Sequence, residues 1–201
     1  AHAQDAKAGQ QKAATCIGCH GIVGYQATHP EVHKVPMISG QSAKYIVGSL
    51  VAYRKGDRKH PTMRAIAGSL TDQDMADLGA YYEAHAGGAK APDAVPEAAA
   101  DVKDLLTKGA CASCHGANYS KPIDPSYPKL GGQHADYLFA ALRSYKVKGN
   151  THGRDNAIMG AQVKQFDTKQ LKAMANYLGS LPAEMQTVPQ EKFISRTASA
   201  K

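Results

Sequence analysis

The chain has four cysteines, and all of them fall in two copies of one pentapeptide: Cys16-Ile17-Gly18-Cys19-His20 and Cys111-Ala112-Ser113-Cys114-His115. C-x-x-C-H is the attachment signature of a c-type haem. Two thiols three positions apart on a helical turn reach the two vinyl groups of one porphyrin and form thioethers, and the adjacent imidazole is then held against the iron as its proximal ligand. A zinc site built from two C-x-x-C pairs, or two dithiol redox motifs, would use the same cysteines. Neither accounts for a His after the second Cys in both copies, with Gly21 and Gly116 following. No cysteine is left over, so a haem enzyme that needs a thiolate ligand or a free thiol cannot be built from this inventory.

Composition agrees with that reading. Phe and Trp number 3 and 0 against 10 Tyr in 201 residues, and two domains of about 90 residues with so few large aromatics would have thin cores. Two covalently attached haem c groups would fill them. The apolar runs are only a few residues long, far short of the roughly 20 needed to cross a bilayer. The formal charge is +7, but no run of five or six like charges appears, which argues against a nucleic-acid partner.

The haem motif recurs at an offset of 95, and the flanking sequence repeats with it. Pro36-Met37-Ile38-Ser39-Gly40-Gln41 matches Pro128-Lys129-Leu130-Gly131-Gly132-Gln133 at offset 92, as Tyr45, Leu50 and Tyr53 match Tyr137, Leu142 and Tyr145. Arg58, Met63, Leu70 and Tyr81 match Arg154, Met159, Phe166 and Tyr177 at offset 96. The offset changes place three extra residues in 22–35 and four in 146–153, both in stretches that read as loops. Each copy predicts a short helix leading into the C-x-x-C-H, a second helix over about 41–53 or its counterpart, and a third opened by Thr71-x-x-Asp74 or Asp167-x-x-Gln170. No alternating strand pattern is present. Residues 1–88 and 101–182 are therefore expected as two domains, 89–100 as a linker and 183–201 as a loosely held tail.

The repeat also filters candidates for the sixth iron ligand. Met37 faces Lys129, Met75 faces Leu171, Met174 faces Leu78, and Met185 lies beyond the repeat; only Met63 and Met159 are Met in both copies. Met75 and Met174 read as core fillers. His60 is out of register as a ligand because it aligns with Asn156, and the other surplus histidines read as surface or loop residues. A thioether opposite an imidazole raises the potential and fills the site, which is the chemistry of an electron carrier. The carbonyls of Pro36 and Pro128 are candidates to accept the second N–H of each proximal His. Arg58 and Arg154 are candidates to pair with haem propionates, and Tyr53 and Tyr145 to line the pocket.

These residues together resemble the dihaem cytochromes c4, tandem class I cytochromes c of the bacterial periplasm, over roughly residues 5–182. The resemblance implies an all-α fold of two cytochrome c domains about a pseudo-twofold axis, with propionates near the interface and both irons His/Met ligated. It implies electron transfer from a quinol:cytochrome c oxidoreductase or a dehydrogenase to a haem-copper oxidase or another acceptor. The 22–35 loop, with His29, Pro30 and His33, and the tail beyond 182 depart from the pattern. Covalent haem attachment needs an export-side assembly system, which places the mature chain in the periplasm, with peripheral membrane association compatible. Ala1-His2-Ala3 resembles the small-residue end of a signal-peptide cleavage site. Four propionates subtract four charges and two ferric cores add back two, leaving +5 when oxidised, so docking onto an acidic partner is expected. The rival readings are a cytochrome subunit stably docked to a catalytic dehydrogenase, and a dihaem enzyme with an open or thiolate-ligated iron.

Overall fold

The structure, a computed structural model, describes residues 4–147 and 153–189. Ala1-His2-Ala3, His152 and the tail from residue 190 onward lie outside the described residues. The first half runs α1 (Ala6–Lys12), α2 (Ala14–His20), α3 (Ala43–Lys55), α4 (Pro61–Gly68) and α5 (Asp72–Ala84). The second repeats the order as α6 (Ala100–Lys108), α7 (Cys111–His115), α8 (Ala135–Ser144), α9 (Ala157–Lys164) and α10 (Thr168–Ser180). The fold is all-α in two tandem units, each with its own core. Ile46, Leu50, Met75, Leu78 and Tyr82 fill one; Leu106, Leu138, Phe166, Leu171, Met174 and Leu178 fill the other.

Both expected capping boxes form, with reciprocal bonds between Thr71 and Asp74 and between Asp167 and Gln170. Acid–base contacts fix the first helix: Lys12 Nζ lies 2.8 Å from Asp74 and 2.6 Å from the buried Asp77, clamping α1 onto α5. The helix into each haem motif is broken rather than continuous, at Ala13 in the first copy and at Gly109-Ala110 in the second. Ala110 takes a left-handed φ of 46° there, a conformation that ends helices.

Two features were not anticipated. Met63 and Met159 each sit on a separate eight-residue helix, α4 and α9. These are too short to persist without help and are nucleated by side chains outside the apolar pattern. His60 caps α4 by accepting from Met63 N, with Pro61 in the first turn, and Asn156 caps α9 by accepting from Met159 N. The 22–35 loop contains a hairpin, β1 (Gln26–Ala27) with β2 (His33–Lys34), whose two-residue strands are too short to leave a period-two signal. His33 is buried on that hairpin, with Nδ1 2.8 Å from the Glu31 carbonyl oxygen. The expectation of a surface residue is corrected there.

The halves meet in reciprocal fashion. Gln133 Oε1 accepts from Met37 N at 3.0 Å while its Nε2 donates to Met37 O at 2.9 Å. Gln41 does the same to Lys129 N and O, at 3.0 and 3.1 Å. Residues 57–59 and 153–155 cross as an antiparallel bridge through Lys59 N to Gly153 O and Asp155 N to Asp57 O. The tail is not loose throughout: Met185 is 1% exposed, and Gln186 N donates to Ser39 O at 2.9 Å. Residues 183–186 thus pack against the body, because an apolar side chain and a backbone bond both find partners at the interface.

Candidate functional site

Helices α2 and α7 present the two Cys pairs and the following His; α4 and α9 each contribute a Met to the same cavity; the segments before α3 and α8 supply Pro36 and Pro128. All fourteen residues singled out in the sequence line one continuous cavity of about 620 Å³ that runs through both halves. His20 Nδ1 donates to the Pro36 carbonyl at 2.8 Å, and His115 Nδ1 to the Pro128 carbonyl at 2.9 Å. The carbonyl only accepts, so Nδ1 carries the proton and Nε2 is left as the free lone pair. Burial pushes both imidazoles below their ordinary pKa, outweighing the carbonyl bond that raises it. A neutral, oriented imidazole is what an axial iron ligand requires.

Burial disfavours the thiolate at the first cysteine of each pair. Burial raises Cys111 to about 11 and moves Cys16 upward as well. Among the described residues no three His, Cys, Asp or Glu side chains converge as a metal cluster needs, so the two pairs do not build a shared zinc site.

Where the two crevices join, the sequence showed only part of the arrangement. Arg58 and Arg154 meet there across the interface. Arg58 donates to Ser49 Oγ at 2.9 Å, to Tyr45 Oη at 3.3 Å and to Tyr137 Oη at 2.6 Å, and Arg154 donates to the same Tyr137 oxygen at 3.3 Å. The Arg58 guanidinium lies 4.6 Å over the Tyr53 ring, and that of Arg154 lies 5.5 Å over the ring of Tyr145. Burial alone would raise the Tyr137 phenol, but the two guanidiniums hold it at about 8. Among the described residues neither arginine pairs with a carboxylate, and the buried Arg58 Nε has no partner. Two adjacent half-buried cations facing the cavity without an anion are costly unless a ligand supplies one. Haem propionates are such anions, so the junction fits the group the motifs call for.

Tyr45, Tyr137, Gln41 and Gln133 were visible in the sequence only as repeat markers. Their equivalence at offset 92, which puts like residues on both sides of a twofold interface, was the signal that could have found them. His60 proves to be a helix cap rather than a ligand candidate, its Nδ1 3.4 Å from Met63 N.

A pair of joined crevices in a helical fold, each lined by a C-x-x-C-H helix and a Met-bearing helix, defines a tandem c-type cytochrome. The cytochrome c family model matches residues 6–84 and again 99–182. Cytochrome c4 of Azotobacter vinelandii is 31% identical over 198 residues, covering 90% of this chain and 91% of that one. The thiosulfate dehydrogenase electron acceptor of Stutzerimonas stutzeri is 30% identical over 177 residues, covering 84% and 80%. The crystal structure of reduced recombinant cytochrome c4 from Pseudomonas stutzeri superposes with a TM-score of 0.68 at 28% identity, covering 89% of this chain and all of that one. The chain belongs to the cytochrome c family, in its dihaem c4 branch. It is an electron-transfer protein carrying two haem c groups.

Proposed function

We propose that this chain carries electrons in the periplasm from a quinol:cytochrome c oxidoreductase or a dehydrogenase to a haem-copper oxidase or reductase. Residues 1–88 and 101–182 form the two haem units, 89–100 the linker and 183–201 the tail. Haem supplies reversible one-electron storage. Cys16 and Cys19, and Cys111 and Cys114, anchor the two groups, with His20 and His115 as proximal ligands and Met63 and Met159 as distal ones. Pro36 and Pro128 fix each imidazole tautomer. Arg58 and Arg154 neutralise propionates, while Tyr53 and Tyr145 wall the pocket and exclude water.

The observation that carries this reading is that both crevices hold the same His and Met pair and open toward one cationic junction. A filled sixth position leaves little room for an oxidant to bind, which favours a carrier over a dihaem enzyme. Optical spectroscopy with redox titration tests it. The oxidised protein should show the long-wavelength thioether-to-iron band, and Met63→Ala or Met159→Ala should each remove about half of it. A colourless or zinc-loaded polypeptide would refute the reading.

A second reading, a subunit docked to a catalytic dehydrogenase, is favoured by the likeness to a thiosulfate dehydrogenase electron acceptor. Purification from native extract separates the two. Stoichiometric retention of a catalytic subunit at physiological salt marks a docked subunit; elution of the chain alone marks a free carrier.

A further inference from the structure

The segment 183–186 belongs to neither repeat, yet it rests on equivalent residues of both. Gly40 and Gly132 are counterparts at offset 92, both with positive φ, 86° and 72°. A Cβ on Gly40 would lie 2.9 Å from the Glu184 carbonyl oxygen, and one on Gly132 would collide with the Ala183 side chain. The next residues, Gln41 and Gln133, are the reciprocal pair of the interface, and both amides turn to one atom. Gln41 Nε2 lies 3.2 Å and Gln133 Nε2 3.7 Å from Met185 Sδ. Met185 therefore sits at the pseudo-twofold axis, a weak acceptor shared by the two halves. On either side the segment is tied down. Glu184 pairs at 2.6 Å with Lys129 Nζ, which also donates to Gly40 O at 2.9 Å. Gln186 bonds to Ser39 across the interface.

We infer that Glu184–Gln186 is a clasp that locks the two haem domains in register, with Met185 as its positioning residue. Two domains joined by a linker move relative to one another unless their interface is closed. Here the reciprocal glutamine bonds close it, and the clasp holds both glutamine side chains in the conformation those bonds need. Electron exchange between two redox groups falls steeply with their separation, so the clasp sets how the two haems communicate. Only this last step rests on the carrier reading; the structural step does not.

The test uses the full-length holoprotein with Met185→Ala and Met185→Leu. Amide hydrogen exchange is read at Met37 and Lys129, whose N–H groups bond to the glutamines across the interface, and the separation of the two midpoint potentials is read by titration. M185A is expected to speed exchange about tenfold at both amides. It should also change the potential separation while leaving the thioether-to-iron band of each haem intact. M185L, which refills the axis, should return exchange to within about twofold of the parent protein. If M185A does not accumulate, Glu184→Ala should accelerate the Lys129 amide about threefold through the released lysine. The inference is overturned if exchange and potential separation in M185A match the parent, if acceleration in M185A is confined to one half, or if Glu184→Ala leaves the Lys129 amide unchanged. A missing haem spectrum in the parent would instead fault the carrier reading, and the exchange result would still decide the clasp.

Discussion

The caps of α4 and α9 give a quantitative handle on the proposed distal ligands Met63 and Met159. Each helix is eight residues long, below the roughly 12–15 at which an isolated helix becomes marginal, so its first turn depends on the cap. Asn156 Oδ1 accepts from Met159 N at 2.9 Å, while His60 Nδ1 accepts from Met63 N at 3.4 Å. The first distance is ordinary and the second lies beyond the usual range of about 2.7–3.2 Å. Replacing Asn156 by Ala costs about 1 kcal/mol, which multiplies the population with Met159 released by about five. Replacing His60 by Ala should cost about half as much and raise release of Met63 only about twofold. Imidazole competition for the ferric iron, followed through the methyl resonance of each ligating Met, reads the two haems separately. The expected result is about fivefold tighter imidazole binding at the C-terminal haem in Asn156→Ala, with the N-terminal haem unchanged and Asn156→Asp close to the parent. Equal tightening at both haems, or an effect only at the N-terminal one, would refute the reasoning.

Arg58→Gln removes one of the two half-buried cations at the crevice junction, so the ferric forms are favoured and both midpoint potentials should fall by an amount on the order of tens of millivolts; spectroelectrochemistry checks this. The α1 clamp should be acid-labile. Lys12 holds Asp74 and Asp77 below the ordinary carboxylate value of 3.8, so their contribution is complete above that pH and is lost as pH falls through the depressed folded values. Exchange of the α1 amides should therefore accelerate below about pH 4 ahead of the α10 amides. With +7 on the polypeptide, association with the proposed acidic redox partner should slow as ionic strength rises. Stopped-flow rates independent of salt would overturn that expectation.

Fold class and haem motifs were legible because duplication makes every signal appear twice. Thr71 and Asp167 marked helix starts through side chains that act within three residues. Met63 and Met159 stood out because Met37, Met75 and Met174 face a different residue across the repeat and Met185 lies beyond it. What stayed hidden was long-range or very short. The two distal helices lacked enough turns to show a period, and the hairpin at 26–34 lacked enough residues to alternate. Met185 was silent because its importance lies in two glutamines 144 and 52 residues away. The junction was half legible. Arg58 and Arg154 could be nominated as propionate partners, but Tyr137 serves both because the halves cross there, and no single repeat encodes a crossing.

The reciprocal bonding of Gln41 and Gln133 has a consequence for what each half can do. Each glutamine satisfies the backbone of the opposite unit with the same two atoms, so the contact is isologous although it lies within one chain. Two copies of the first half placed about the same axis would present Gln41 to Met37 in both directions and leave no amide group unmatched. Covalent linkage has turned what would be a concentration-dependent dimer into an intramolecular one, whose association no longer weakens on dilution.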